Sequence, residues 1–244
     1  GNIVATLRLT IIFLLEHIRT PFSIIWTIMS PTVLFFFLHF NEIEQHFGDT
    51  LWLRHQISWF VGYISFSVVL FNYCLYLTGR RESGFIATFV HSIEGRLLFI
   101  RSQLMASLIM SVMYVLFFIT VVFIGFQARP DYQTVILILK TICINVMMMI
   151  SLTFMASFRV TFQTASTIYS VLITVCMVLG IVSLKYNDGL VYWINIINPI
   201  AIYSTLLQPG IELSYITILV YGLMFIISLI SALTFKTEPV WSSQ

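Results

Sequence analysis

Six long apolar segments decide what this chain can fold into. A helix that crosses a bilayer needs about 20 predominantly apolar residues, and the sequence contains six stretches of that kind. The chain is 59% hydrophobic and 9% charged, whereas soluble domains carry about 25% charged residues. Lipid must therefore solvate much of its surface. We predict an all-α polytopic membrane protein with a single transmembrane domain, residues 1–244, and spans at Phe22–Phe40, Ile57–Thr78, Leu97–Phe126, Thr134–Ser157, Ala165–Leu184 and Tyr215–Phe235.

The segment before the first span predicts a separate helix on the membrane surface. Apolar residues recur there every three or four positions, which places them on one helix face, and Thr20-Pro21 then ends the helix. The members of this stripe are Leu7, Ile11, Leu14, Leu15 and Ile18. We predict an interfacial helix over residues 1–20 whose charges are Arg8, Glu16 and Arg19. The alternative is the first turns of one long, bent transmembrane helix.

Residues 187–211 are only partly apolar and contain Pro199, Pro209 and Gly210. Asn195, Asn198 and Pro199 would leave polar groups unsatisfied in lipid. This stretch therefore predicts a helix-turn that lies on or dips into one face of the membrane, between spans five and six, rather than a seventh span.

The distribution of positive charge predicts the orientation. Loops on the cytoplasmic side of a membrane carry an excess of Lys and Arg. Six spans put both termini on one side, and that side collects eight of the twelve basic residues: Arg8, Arg19, Arg80, Arg81, Arg96, Arg101, Arg159 and Lys236. Both termini are therefore predicted to be cytoplasmic.

Several kinds of chemistry have no signature in the sequence. It contains no phosphate-binding loop and no metalloprotease or hydrolase motif, so we expect no enzyme activity, metal site or cofactor in this chain alone. The net charge of +2 gives no indication of nucleic acid binding. The five histidines fall at or outside the span ends, where a lone histidine is most often solvated: His17, His39, His46, His55 and His91.

Coupling ions also have no evident site. Ion-driven carriers place acidic residues or histidine inside the bilayer, and no span has an acidic residue in its middle. Lys140 lies near the outer end of the fourth span, where its stem can reach the headgroups or its charge can hold an acidic substrate group. Energy for uphill transport would have to come from elsewhere.

The most heavily charged stretch is "GRRESGFIATFVHSIEGR", residues 79–96. Its apolar residues form one helical stripe that is too short to cross a bilayer. The stripe is Phe85, Ile86, Phe89, Val90 and Ile93, and the flanking charges are Arg80, Arg81, Glu82 and Glu94. We predict a short amphipathic cytoplasmic helix. It either lies on lipid headgroups or docks into a groove of a soluble partner.

Two stretches resemble the transmembrane subunits of type-2 ABC exporters. "RRESGFIATFVHSIEGRLLFIRSQLMASL", Arg80–Leu108, is similar to the coupling-helix loop between the second and third spans of that family. "VYWINIINPIAIY", Val191–Tyr203, is similar to its proline-containing segment after the fifth span. The chain departs from the family near Ser92–Glu94, where many relatives carry proline, and this leaves the end of the coupling helix open.

The resemblance implies a multi-pass permease in the bacterial cytoplasmic membrane. It would pair with a second copy of itself or a homologous permease, and with soluble ABC ATPase subunits that hold ATP and magnesium. The coupling-helix residues above would dock on the ATPase. A substrate path would lie between the two permeases, lined by spans one, two and five, and here it would include Phe36, Phe37, Trp59, Tyr63, Phe66, Asn72, Tyr73 and Gln163.

An aromatic, nearly uncharged path suits export of an amphipathic or hydrophobic compound such as a drug, a lipid-like molecule or a peptide. Export of a polysaccharide or lipid-linked glycan is the alternative within the family, and would favour stacking aromatics beside many polar side chains. Aromatic residues in spans also commonly face lipid. A membrane scaffold or assembly protein that transports nothing is the alternative from another class.

Overall fold

The structure, a computed structural model, describes residues 2–82, 93–208 and 213–233. These residues are almost entirely helical, as the apolar runs predict. Short 3-10 turns follow α2 at Phe40–Glu42 and α6 at Thr153–Ser157. The helices are α1 Asn2–Ile18, α2 Pro21–Leu38, α3 Thr50–Ser67, α4 Leu75–Glu82, α5 Ile93–Gly125, α6 Tyr132–Leu152, α7 Phe162–Ser183, α8 Gly189–Asn195, α9 Pro199–Leu207 and α10 Tyr215–Leu233.

Within the described part of the chain, six helices are long and apolar enough to cross a membrane, which agrees with the predicted number. They cover Pro21–Leu38, Thr50–Arg80, Glu94–Gly125, Tyr132–Ser157, Phe162–Ser183 and Tyr215–Leu233. The largest boundary error is in the second span, which begins at Thr50 rather than Ile57. The Asp49 carboxylate accepts a hydrogen bond from the Trp52 amide and so starts this helix among polar residues, where the hydropathy pattern predicted a loop.

The first helix is separate from the first span. Helix α1 ends at Ile18, and α2 begins at Pro21, where proline is tolerated because the first-turn N–H has no helical partner. Helix α1 packs along α5 through Leu9 and Phe13. The ring of Phe13 meets Phe99 edge to face at 5.6 Å. Four residues of the predicted apolar stripe are exposed on the outer face of α1, namely Leu7, Ile11, Leu15 and Ile18. The fifth, Leu14, packs against the core.

The second span is interrupted by a π-helical segment, Val68–Cys74. Such wider turns are rare and change which carbonyl groups the helix itself satisfies. The Asn72 carbonyl oxygen accepts bonds from Gln103 Nε2 at 2.8 Å and Ser107 Oγ at 2.9 Å. The π-helical segment thus bonds the second span to the N-terminal half of α5.

Helices α8 and α9 form a pair bent by 72°, in the stretch predicted as a helix-turn. Asn198 starts α9 by accepting from the Ile200 amide, and its own amide donates to the Cys176 carbonyl at 2.7 Å. Its polar groups are therefore satisfied by protein rather than left in lipid. Helix α9 lies against α3, where Gly62 faces Tyr203 without room for a side chain.

Candidate functional site: a polar hub beside an open cleft

Arg80, at the end of the second span, lies in a polar hub formed with α1 and α5. Arg80 is only 8% exposed to solvent. Its Nη2 donates to Glu16 Oε2 at 2.6 Å, and its Nε donates to Gln103 Oε1 at 3.1 Å. The guanidinium carbon lies 3.7 Å from the centre of the Phe13 ring, a cation–π distance. A residue predicted to be a surface charge of the coupling loop therefore ties three helices together.

His17 is the second member of this hub. It is 2% exposed, so the expectation of a solvated histidine is wrong at this position. Its Nε2 lies 3.1 Å from Gln103 Nε2, and its Nδ1 lies 3.4 Å from the Asn72 amide. Since Gln103 Oε1 already accepts from Arg80, Gln103 donates to His17 Nε2. The neutral ring then carries its hydrogen on Nδ1, which faces the Asn72 side-chain amide. A flip of that amide exchanges its oxygen and nitrogen, so that the oxygen can accept from Nδ1.

This environment keeps His17 neutral. Burial, with a further contribution from the neighbouring Arg80 charge, lowers the pKa of His17 from 6.5 to about 4, against the opposing influence of Glu16. A protonated ring would present a second N–H to groups that already donate, and it would add a charge beside the Arg80 guanidinium. The hub therefore needs the neutral imidazole.

An open cleft of about 450 Å³ adjoins the hub and shares His17 and Asn72 with it. It extends from the hub end of the bundle to Ser30 and Tyr63, near the middle of the first two spans. Its walls come from the first, second and fifth spans, with parts of α1 and α5. The other lining residues are Thr20, Ser23, Trp26, Thr27, Ile64, Ser67, Phe71, Leu75, Tyr76, Tyr114, Phe162 and Ile173.

The cleft is amphipathic, and the described residues that line it include no carboxylate or ammonium group. Hydroxyl groups of Ser23, Thr27 and Ser30 follow one another on the first span, with the indole of Trp26 between them. Pro31 has no N–H to give the Thr27 carbonyl, which leaves that carbonyl as a further acceptor near the cleft. Such a surface can hold a molecule with apolar bulk and uncharged hydrogen-bonding groups.

The eight residues predicted for the substrate path lie in four different environments. Tyr63 and Asn72 line the cleft. Phe37 and Gln163 are exposed on the outside of the chain, and Phe36 and Trp59 are half-buried in helix contacts, against Gly125 and Gly180 respectively. Phe66 and Tyr73 are fully buried in the core and do not line the cleft.

The hydroxyl groups of the first span were not predicted. Ser23, Thr27 and Ser30 are spaced four and three residues apart, so they share one face of α2. That polar stripe within an apolar helix is the sequence pattern that could have predicted this wall of the cleft. Tyr76 and Tyr114, in contrast, carry no pattern that would separate them from ordinary core or lipid-facing aromatics.

The predicted docking residues lie largely beyond what the structure describes. Phe85, Ile86, Phe89 and Val90 lie outside the described residues, as do the side chains of Arg81, Glu82 and Ile93. Glu94 is exposed at the start of α5, Arg8 is exposed on α1, and Arg19 is exposed just after the end of α1. Glu16 pairs with Arg80 in the hub. In the described part of the chain, no group of three or more His, Cys, Asp or Glu could hold a metal ion.

Comparison with known proteins gives one close match. No protein-family model matches the chain, and no solved structure matches it. Protein McbE of Escherichia coli is 80% identical over 239 residues, which cover 98% of this chain and 99% of that protein. Identity at that level over nearly the full length of both proteins means a shared fold. The chain therefore belongs to the McbE protein family.

Proposed function

We propose that this chain is the membrane-spanning permease subunit of an ATP-driven ABC exporter. It would move an amphipathic or hydrophobic compound out of the cell by alternating access. The observation that carries the proposal is the cleft walled by the first, second and fifth spans and joined to the polar hub. If the hub end is cytoplasmic, as the Lys and Arg distribution predicts, this cleft opens toward the cytoplasm.

The hub offers a mechanical connection for the proposed ATPase. Arg80 precedes residues 83–92, which carry the predicted docking helix. Through Glu16 and Gln103, Arg80 is bonded to α1 and α5. A push on the docking helix would therefore reach α1, α5 and the π-helical segment together. His17 and Asn72, which belong to both hub and cleft, would transmit that movement to the cargo site.

The cleft also suggests the class of cargo. Its aromatic rings favour apolar bulk, and its hydroxyl groups favour uncharged polar groups. A peptide-like or other amphipathic compound of low charge has both features. A glycan remains a second candidate because Trp26 and Tyr63 provide rings for stacking beside the hydroxyls of Ser23 and Thr27. In this scheme the chain lies in the bacterial cytoplasmic membrane. Its partners are a second permease and soluble ATPase subunits, which hold ATP and magnesium.

Co-purification tests the proposal directly. A tagged chain, expressed with its neighbouring genes, should bring down a soluble subunit that contains a phosphate-binding loop and hydrolyses ATP. Phe85→Ala and Phe89→Ala should weaken that association while the chain still inserts.

A liposome assay tests the class of cargo. Amphipathic peptides should stimulate the ATPase activity of the complex, whereas stimulation by glycans alone would favour glycan export. Recovery of the chain without any ATPase, in a mild detergent, would contradict the proposal.

A further inference from the structure

A large polar cavity at the opposite end of the bundle is lined by Lys140, a cation that has no acidic partner among the residues that the structure describes. The cavity measures about 880 Å³ and lies between the starts of α3 and α6 and the end of α9. Its charged lining residues are Arg54, Lys140, Asp49 and Asp131, and its other polar lining includes His55, Ser58 and Gln133. We call it the Lys140 cavity. It shares no lining residue with the cleft described above.

The charges in this cavity are unevenly matched. Arg54 is neutralised, because its Nη1 donates to both oxygens of Asp131, at 2.6 and 2.7 Å. The Asp131 carboxylate also caps α6 through the Thr134 amide. Lys140, in contrast, has no carboxylate within 4.0 Å among the residues that the structure describes. Asp49, the other carboxylate of the lining, is bonded to His46 and to the Trp52 amide. Lys140 is thus the cation of this lining that contacts no described carboxylate.

Lys140 lies about two helical turns from the start of the fourth span. It is eight residues beyond Tyr132, the first residue of the helix, which corresponds to about 12 Å along the axis. A cation at such a depth is costly unless an anion or water compensates it. An anionic ligand group that enters the cavity would provide this compensation.

A second cavity continues the first along the same helix face. It is a groove of about 470 Å³ between α6, α9 and α10, almost wholly apolar, and includes Cys143, Met147, Leu206 and Phe225. We call it the Met147 groove. Gly222 lies in its wall, and no atom lies within 4 Å of the position where a side chain at Gly222 would begin.

The two cavities follow one another along one face of α6. On α6 the lining residues recur every three or four positions from one cavity into the next, so they share one face. The series is Tyr132, Ile136 and Lys140 in the cavity, then Cys143, Met147 and Ser151 in the groove. On α9, Leu207 lines the cavity, and its neighbour Leu206 lines the groove. One molecule with a charged head and an apolar tail could occupy both.

We propose that the Lys140 cavity and the Met147 groove bind one anionic phospholipid. Lys140 holds the phosphate, since a lysine ammonium is an effective point charge for phosphate groups. The hydroxyl of Ser58 and the amide of Gln133 are available to the remaining headgroup atoms. The groove holds an acyl chain between α6 and α10.

Native mass spectrometry tests this proposal with defined lipids. The purified chain is titrated with phosphatidylglycerol or phosphatidylcholine of identical acyl chains. Wild type should bind the anionic lipid about tenfold more tightly, and Lys140→Gln should bring the ratio to about one. Lys185→Gln is the matched control, because Lys185 is exposed beyond the end of α7 and lines neither cavity. A preference that survives Lys140→Gln would overturn the proposal.

A second pair of measurements separates a lipid from a free anion. Gly222→Leu and Met147→Trp both fill the groove, and each should weaken binding of both lipids severalfold without changing their ratio. Inorganic phosphate at millimolar concentration should not displace the lipid. If phosphate displaces it and the groove variants change nothing, the cavity takes a free anion and the lipid assignment is wrong.

Discussion

Arg80 and Glu16 join the end of the second span to the end of the first helix through a 2.6 Å ion pair. The two side chains differ in exposure, at 9% for Arg80 and 41% for Glu16. Arg80 also keeps Gln103 and the Phe13 ring when Glu16 is changed. The loss of the carboxylate alone should therefore cost less than the loss of the guanidinium.

We expect Glu16→Gln to lower the free energy of unfolding by about 1 kcal/mol, a value reduced by solvent screening at the exposed carboxylate. Arg80→Ala should cost about 2–3 kcal/mol, because it removes the cation–π contact and leaves the Gln103 oxygen unsatisfied. Thermal unfolding in detergent measures both. Glu42→Gln is the control, since Glu42 is 45% exposed and pairs with His39, only three residues away in the chain. Equal losses for Glu16 and Glu42 would contradict the structural role of the hub.

Stability should depend on His17 in mildly acidic solution. The pKa of His17 is about 4 in the folded chain against an ordinary 6.5, so the unfolded chain binds the proton more readily. The neutral histidine thus contributes its full stability above pH 6.5. This contribution is lost as the pH falls from 6.5 toward 4, at up to about 1.4 kcal/mol per pH unit.

A comparison of two glutamine variants checks this prediction. His17→Gln keeps one donor and one acceptor but does not titrate, so its unfolding midpoint should fall less between pH 7 and pH 5 than that of wild type. His55→Gln is the control, because His55 is exposed at the far end of the bundle. If the wild-type and His17→Gln profiles are parallel, His17 is not the group responsible.

The sequence predicted the spans well because lipid imposes a simple length requirement on apolar runs. All six were located, and Pro21 and Pro199 each mark the first residue of a helix in the structure. The start of the second span was missed because Arg54 and His55 interrupt the hydropathy pattern. In the structure Arg54 is neutralised by Asp131, a residue far away in sequence that only the fold brings near.

The polar hub could not be predicted for a similar reason. Arg80 and His17 each look like interfacial surface residues in a linear pattern. Their burial depends on the π-helical segment, which turns the Asn72 carbonyl toward Gln103, and on α1 lying along α5. Neither arrangement leaves a pattern in the nearby sequence.

The residues of the substrate path were hard to select for another reason. Aromatic content alone cannot distinguish Phe66, which is buried in the core, from Tyr63, which lines the cleft.

The contact between α3 and α9 should be sensitive to a single methyl group. A Cβ added at Gly62 would lie 2.8 Å from Tyr203 Cβ and 3.1 Å from the Ile200 carbonyl. Since Tyr203 is fully buried, α9 would have to shift. We expect Gly62→Ala to destabilise the chain by about 1–3 kcal/mol.

Gly222→Ala provides the matched comparison for Gly62. Gly222 is also in a membrane helix, but no atom lies within 4 Å of its added Cβ. There alanine should leave the unfolding midpoint unchanged or raise it, because alanine favours the helix over glycine. Unfolding midpoints of both variants in the same detergent make the comparison. A loss of similar size at both positions would show that close packing at Gly62 is not the cause.

The cleft can be blocked without disturbing the hub. Thr27 lines the cleft from the first span, and its hydroxyl bonds to the Ser23 carbonyl at 2.8 Å. In the exporter proposed above, Thr27→Trp should fill cargo space while leaving Arg80, Glu16 and the docking loop unchanged. We expect cargo-stimulated ATPase activity and export to fall at least tenfold, with ATPase association retained.

Thr120→Trp is the matched control for Thr27→Trp. Thr120 is exposed on α5, makes the same kind of bond to the Leu116 carbonyl at 2.7 Å, and lines none of the described cavities. It should tolerate tryptophan with export intact. Assays of both variants in the same liposomes separate a blocked cleft from the general effect of an added indole. Unchanged export by Thr27→Trp would show that cargo does not pass through this cleft, even if the ATPase partner is found.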